Sequence, residues 1–249
     1  MAMGQAFTEA VDIGIKQPSL DIGAHLTLVA AKPILPADKI RSLVDSEGNF
    51  FSNHMDFITK YVRGQISLQE VYDELQAQIS CIKQAGIPIT HLDSHQHLHV
   101  LPAILDICLT LAKEYNIKAM RIPAEGYLFT GGYSITPSRL IGKCGLTFLA
   151  RRAQKIARAS GIFTPDYFFG MLAGGHLSSS YLMNILKALP KGTSEIMMHP
   201  GVNTKILNNL YHWDYHWDEE LNAVILPDTL AFIQQNHIKM RSFREFTDE

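Results

Sequence analysis

The chain has 249 residues, 47% hydrophobic and 18% charged, with a formal net charge of −2 and a pI near 6.6. This balance excludes a disordered chain and offers no long-range attraction to phosphate backbones or anionic membranes, so nucleic acid is not an expected partner. Cys81, Cys108 and Cys144 stand far apart without CxxC spacing, which predicts free thiols rather than a disulfide framework or a thiolate metal site.

The start, Met1-Ala2-Met3-Gly4-Gln5, has neither a basic nor an apolar leader segment, and no run offers the roughly 18 apolar residues of a membrane span. A cytoplasmic protein is the expectation. Residues 7–16 read as a helix, and residues 20–28 as a buried strand with His25 towards its carboxyl end. After a loop marked by Pro33, Pro36 and Gly48, residues 67–85 carry helical apolar spacing through Val71, Leu75, Ile79 and Ile82, stopped by Gly86 and Pro88. Residues 87–92 then read as strand, 101–115 as helix, 117–122 as strand and 138–159 as a long helix. The rest of the chain reads as strand at 167–171, helix at 181–189, strand at 195–198, helix at 228–236 and a last strand at 238–243. Such alternation predicts an α/β fold of parallel strands with right-handed crossovers, a barrel or an open doubly wound sheet, in a single domain over 1–249.

Chemistry concentrates in Asp93-Ser94-His95-Gln96-His97-Leu98-His99, where three imidazoles fall within five residues directly after a predicted strand. An extended run would put His95, His97 and His99 on one face; a helix would align only His95 with His99. Neutral imidazole is the commonest ligand of borderline metals, so either geometry points to part of a divalent-metal site. Asp93 could orient a ligating imidazole, with His97 and His99 as auxiliaries. His25 could supply a further ligand, and His199, before Pro200-Gly201, could protonate a leaving amine. Arg121 could contact a substrate oxygen or orient a carboxylate. In the stretch Tyr211-His212-Trp213-Asp214-Tyr215-His216-Trp217, Trp213 and Trp217 suit either stacking on sugar faces or packing beneath loops. A metal-dependent phosphoesterase is a competing use of His-x-His after a strand, disfavoured because no Asp-rich second-metal constellation accompanies it.

Four segments taken together, Gly23-Ala24-His25-Leu26-Thr27-Leu28, residues 90–99, Arg121-Ile122-Pro123 and Met198-His199-Pro200-Gly201, resemble the YdjC-like carbohydrate deacetylase family. The connecting Lys32-Pro33-Ile34-Leu35-Pro36 and residues 43–50 look closer to its hopanoid-associated HpnK subgroup. The resemblance implies a distorted (β/α) barrel of the polysaccharide-deacetylase type. It also implies His25 and His95 as ligands of magnesium or zinc, and His199 as the catalytic acid. The implied substrate is an N-acetylated sugar, oligosaccharide or glycolipid, and a homodimer is carried as an expectation. The family opens with a strand ending in Ala-Asp-Asp-Phe-Gly, whose aspartates resemble a base and a third metal ligand, and this motif does not occur here. On that comparison the chain is expected to start downstream of the opening strand and to bind metal weakly, or to be an inactive sugar- or metal-binding remnant.

Overall fold

In a computed structural model of the chain, which describes residues 1–246, five short strands are set among nine α-helices of those residues. Helix α1 (Phe7–Lys16) leads to β1 (Ile22–Leu26), α2 (His54–Val62), α3 (Leu68–Gln84), β2 (Ile89–Ser94), α4 (Pro102–Glu114) and β3 (Ala119–Met120). The long α5 (Pro137–Ala159) is followed by β4 (Tyr167–Phe169), α6 (Ser179–Lys187) and β5 (Ser194–Ile196). Helices α7 (Thr204–Tyr211), α8 (Trp217–Ile225) and α9 (Pro227–Gln235) complete the order. The described residues form two compact units, one of 1–122, 152–164 and 242–246, the other of 123–151 and 165–241.

The first unit is organised by a parallel sheet in the order β1-β2-β3. Ser67 caps α3 by accepting the Glu70 N–H at 3.3 Å, and the helix buries Val71, Leu75, Ile79 and Ile82 at the spacing read from the sequence. Each such side chain contributes roughly 2 kcal/mol of gross burial. Two polar residues on α3 are also buried. Gln78 donates to the Thr27 carbonyl at 2.7 Å and accepts the Thr27 N–H at 2.9 Å, while Glu74 accepts the N–H groups of Ile34 and Leu35, each at 2.9 Å. The loop leaving β1, with its two prolines, is thereby clamped to α3 through its own backbone. Pro102 occupies the first turn of α4, where its missing N–H costs nothing, and the helix buries Ile104, Leu105, Cys108 and Leu111.

The second unit holds the parallel pair β4-β5, in register Tyr167 to Ser194 and Phe169 to Ile196. Its core gathers Phe169, Leu177, Leu182, Ile185 and Ala223. Glu125 and Lys143, 0% and 2% exposed at their side chains, pair at 3.3 Å, and Glu125 also accepts the Gly170 N–H at 2.9 Å.

The parallel α/β class stands, while pairing among the described strands gives one three-stranded and one two-stranded sheet without closing a ring. Residues 238–243, expected as a last strand, form none. Side-chain stacking holds this segment's end instead, with the Phe243 ring 4.0 Å from that of His91 and 6.4 Å from that of Phe163. Helices α2, α7 and α8 went unread in the sequence; on the first two burial is sparse, since α2 buries only Phe57 and α7 buries nothing. The readable trace of α2 is its cap, Asn53, which accepts the Asp56 N–H at 3.0 Å. Among the described residues no helix is long and apolar enough to cross a membrane.

Candidate active site

The β1-β2 register sets His25 directly beside Asp93. The Asp93 carboxylate, 8% exposed, accepts from His25 Nδ1 at 2.8 Å and from Arg121 Nη1 at 2.6 Å on the same oxygen. Arg121 is brought there because its N–H donates to the Leu92 carbonyl at 2.9 Å as the chain leaves β3. Burial alone would raise the Asp93 pKa, but the adjacent His25 and Arg121 outweigh it and hold the carboxyl well below the usual carboxylate range. With Nδ1 committed to Asp93, His25 keeps Nε2 as its lone-pair donor, the arrangement that carboxylates impose on metal-binding histidines. The His95 ring lies edge-on to it, with centroids 5.7 Å apart.

The run after β2 takes neither of the two expected geometries. Gln96 (φ 53, ψ 25) and His97 (φ 58, ψ 25) are both left-handed, a conformation that costs side-chain-bearing residues about 1 kcal/mol or more each. The Gln96 Oε1 is gripped by the N–H of His54 at 3.0 Å and by its Nδ1 at 2.8 Å, which ties the turn to the start of α2. Across the turn the His97 and His99 rings lie 6.4 Å apart. His95 stays beside His25, whereas His99 is buried, with Nδ1 at 2.6 Å from Ser94 Oγ and Nε2 at 2.8 Å from the Arg121 carbonyl. Both nitrogens of His99 are thus used within the fold, and its auxiliary role is to brace the backbone that carries Arg121. Burial, and for His97 the neighbouring His99, presses the His97 pKa well below its ordinary value.

Burial lowers the His99 pKa from 6.5 to about 4, so the fold requires the neutral ring. The unfolded chain binds this proton more readily, and stability fully present above about pH 6.5 is lost as the pH falls towards 4. His99→Gln is expected to shrink the loss of urea stability between about pH 7 and about pH 4.5 by roughly 2 kcal/mol. Equal losses in the two proteins would refute the assignment.

In the second unit, His199 follows β5. Its N–H donates to Glu220 Oε2, its Nδ1 lies 3.8 Å from the same oxygen, and its ring is 5.0 Å from that of Tyr215. Glu220, in the first turn of α8, is fully buried and also accepts the Leu177 N–H at 3.1 Å. Its pKa is raised by burial against the opposing pull of these N–H donors. Of the aromatic stretch, Trp217 is buried and donates its Nε1–H to Asn208 at 3.1 Å, so it serves as packing and not as an open stacking face. Trp213 remains half-buried, with Tyr211, Tyr215 and Trp217 within 5.0–5.9 Å of it. Glu220 and Tyr215 were not singled out from sequence. In the structure Asp218, Glu219 and Glu220 fall in the first turn of α8, where negative charge is favourable.

His25 and His95 offer the right donor chemistry for a borderline divalent ion, and Asp93 fixes the tautomer that ligation needs. The donor set is short, however: among the described residues no group of three or more His, Cys, Asp and Glu side chains is arranged to hold a metal.

A family model described as YdjC-like protein matches residues 1–235. The chain belongs to this family. Carbohydrate deacetylases are among the relatives of this YdjC-like protein. That of Thermoanaerobacter pseudethanolicus is 28% identical over 240 residues, covering 94% of this chain and 81% of the relative. That of Mus musculus is 30% identical over 253 residues, covering 95% and 81%. A solved structure from Enterococcus faecalis V583, of a protein described as a candidate cellobiose-phosphate cleavage protein, superposes with a TM-score of 0.75. It covers 99% of the YdjC-like chain and 85% of its own at 23% identity, a likeness of fold.

Proposed function

We propose that this YdjC-like protein is a divalent-metal-dependent carbohydrate deacetylase that hydrolyses the N-acetyl group of an amino sugar. The observation that carries the reading is the His25–Asp93 pair with His95 beside it, an oriented imidazole next to a second one. The names of the relatives supply the reaction and the substrate class. His25 and His95 would hold the ion, magnesium or zinc, and such an ion supplies Lewis-acid polarisation of the acetamide carbonyl.

The chain's own residues do the rest. Asp93 keeps the proton of His25 on Nδ1, and Arg121 keeps Asp93 ionised. His199 gives a proton to the leaving nitrogen as the C–N bond breaks; one water is consumed, its oxygen ending in acetate and one of its protons replacing the one that His199 gave. Trp213 offers a ring face to the sugar. The finer reading of a sugar-bearing lipid of the hopanoid type rests on the HpnK-like segments, and that of a distorted barrel on the family resemblance. Exposed apolar side chains near His199 in the chain, Val202, Ile206 and Leu210, support a lipid-bearing substrate.

A second reading, a non-catalytic sugar- or metal-binding protein, is favoured by the short donor set. Acetate release from a panel of N-acetylated glycans and glycolipids separates the two. The deacetylase reading expects His95→Ala and His25→Ala each to lower release at least about 100-fold, at or beyond the upper end of the 10- to 100-fold cost of a lost supporting group. Zinc affinity measured by calorimetry should fall in parallel. No release from any glycan by the wild-type chain would favour the binding protein, and release independent of both histidines would end the proposal.

A further inference from the structure

We propose that Glu220 is the positioning carboxylate of His199, holding its proton on Nδ1 and keeping the ring charged to higher pH. The inference rests on the reading of His199 as the proton donor. Three observations within the second unit carry it. Glu220 is 0% exposed, and its carboxylate is met by the N–H groups of His199, Leu177 and Gly175 and by the His199 ring. One oxygen, Oε2, faces both the backbone N–H and the Nδ1 of the same histidine, so it fixes where the residue sits and which nitrogen meets the charge. Finally, His199 Nδ1 is buried and faces Oε2 at 3.8 Å, an ion-pair distance longer than a hydrogen bond, while the side chain as a whole is 29% exposed, so the exposed part of the ring is not Nδ1.

A carboxylate on one side and an open edge on the other is the arrangement that readies an imidazole for proton delivery. The negative charge stabilises the imidazolium, so the donor stays loaded at a pH where an isolated histidine would be neutral. The other groups packed around the pair are the Tyr215 ring, 5.0 Å from that of His199, and His216, whose Nδ1 is held by Glu219 at 2.9 Å. His176 lies against His216 with rings 4.6 Å apart.

The test follows the His199 ring resonances by NMR titration of the full chain, assigned with His199→Ala, alongside the pH profile of acetate release. In the wild type, nitrogen shifts should place the neutral-state proton on Nδ1. In Glu220→Gln the His199 midpoint should fall by about one pH unit, and the basic limb of kcat should move down with it while KM is unchanged. Glu220→Asp should restore part of the shift. A wild-type proton on Nε2, or a folded Glu220→Gln protein with an unmoved midpoint, overturns the proposal. The wild-type measurement decides even if Glu220→Gln fails to fold. Full acetate release by His199→Ala would instead remove His199 as the acid, a failure that the midpoint shift distinguishes from the failure of the Glu220 assignment.

Discussion

Gly170→Ala is expected to destabilise the fold by at least about 3 kcal/mol, through backbone strain and overpacking together. Gly170 leaves β4 at φ +99, a conformation that residues with a Cβ rarely adopt. An added Cβ would stand 2.3 Å from the Met197 carbonyl oxygen and 3.3 Å from the Met197 nitrogen, both backbone atoms with no rotamer to escape into. Neither strand end can yield cheaply. Met197 donates to the Phe169 carbonyl at 2.9 Å, and the Gly170 N–H is held by buried Glu125 at 2.9 Å. Gly64 provides the control: it has φ +68 but nothing within 4 Å of an added Cβ, so Gly64→Ala should cost only about 1 kcal/mol of strain. Urea unfolding of the two variants measures the difference, and equal midpoints would show that the close approach to Met197 is relieved in solution. Because His199 lies two residues beyond Met197, the same displacement should also disturb the position of this proposed acid.

The second large effect is expected at Asp93. Asp93→Asn removes the charge opposite Arg121, whose side chain is 18% exposed, and breaking one half of so enclosed a pair costs about 3 kcal/mol. Partial exposure of the guanidinium keeps the figure at the low end of that range. Arg121→Met should cost a similar amount by leaving a buried carboxylate without its guanidinium partner. In the double variant neither charge is stranded, so its loss should be smaller than the sum of the two. Strict additivity in thermal or urea unfolding would refute the coupling. The sign with pH follows from the depressed Asp93 pKa: this stability is present at neutral pH and disappears only as the pH drops below the ordinary carboxylate range.

Much of the first unit was legible because its signals are local. The spacing of Val71, Leu75, Ile79 and Ile82 on α3, and Gly86 and Pro88 after it, need no knowledge of partners to be read. The aromatic stretch was harder. Trp213 and Trp217 are alike as residues, and only the packing around them makes one half-buried and the other a core residue bonded to Asn208. The expected strand at 238–243 failed for a related reason: apolar content suits a strand, but a strand requires a neighbour with free backbone groups, and Phe243 found the His91 ring instead.

The sequence by itself determined the parallel α/β class, the position of His25 and Asp93 at strand ends, and the order of motifs that marks the YdjC-like family. These follow from periodicity and residue type along the chain. The tertiary structure decided which imidazoles meet. It set His25 beside Asp93 by strand register, turned His99 inward through two left-handed residues, and brought Glu220 to His199 across 21 positions of chain. Each is a contact between residues that are not sequence neighbours in the same element, fixed by register, burial and turn geometry, which no local pattern encodes.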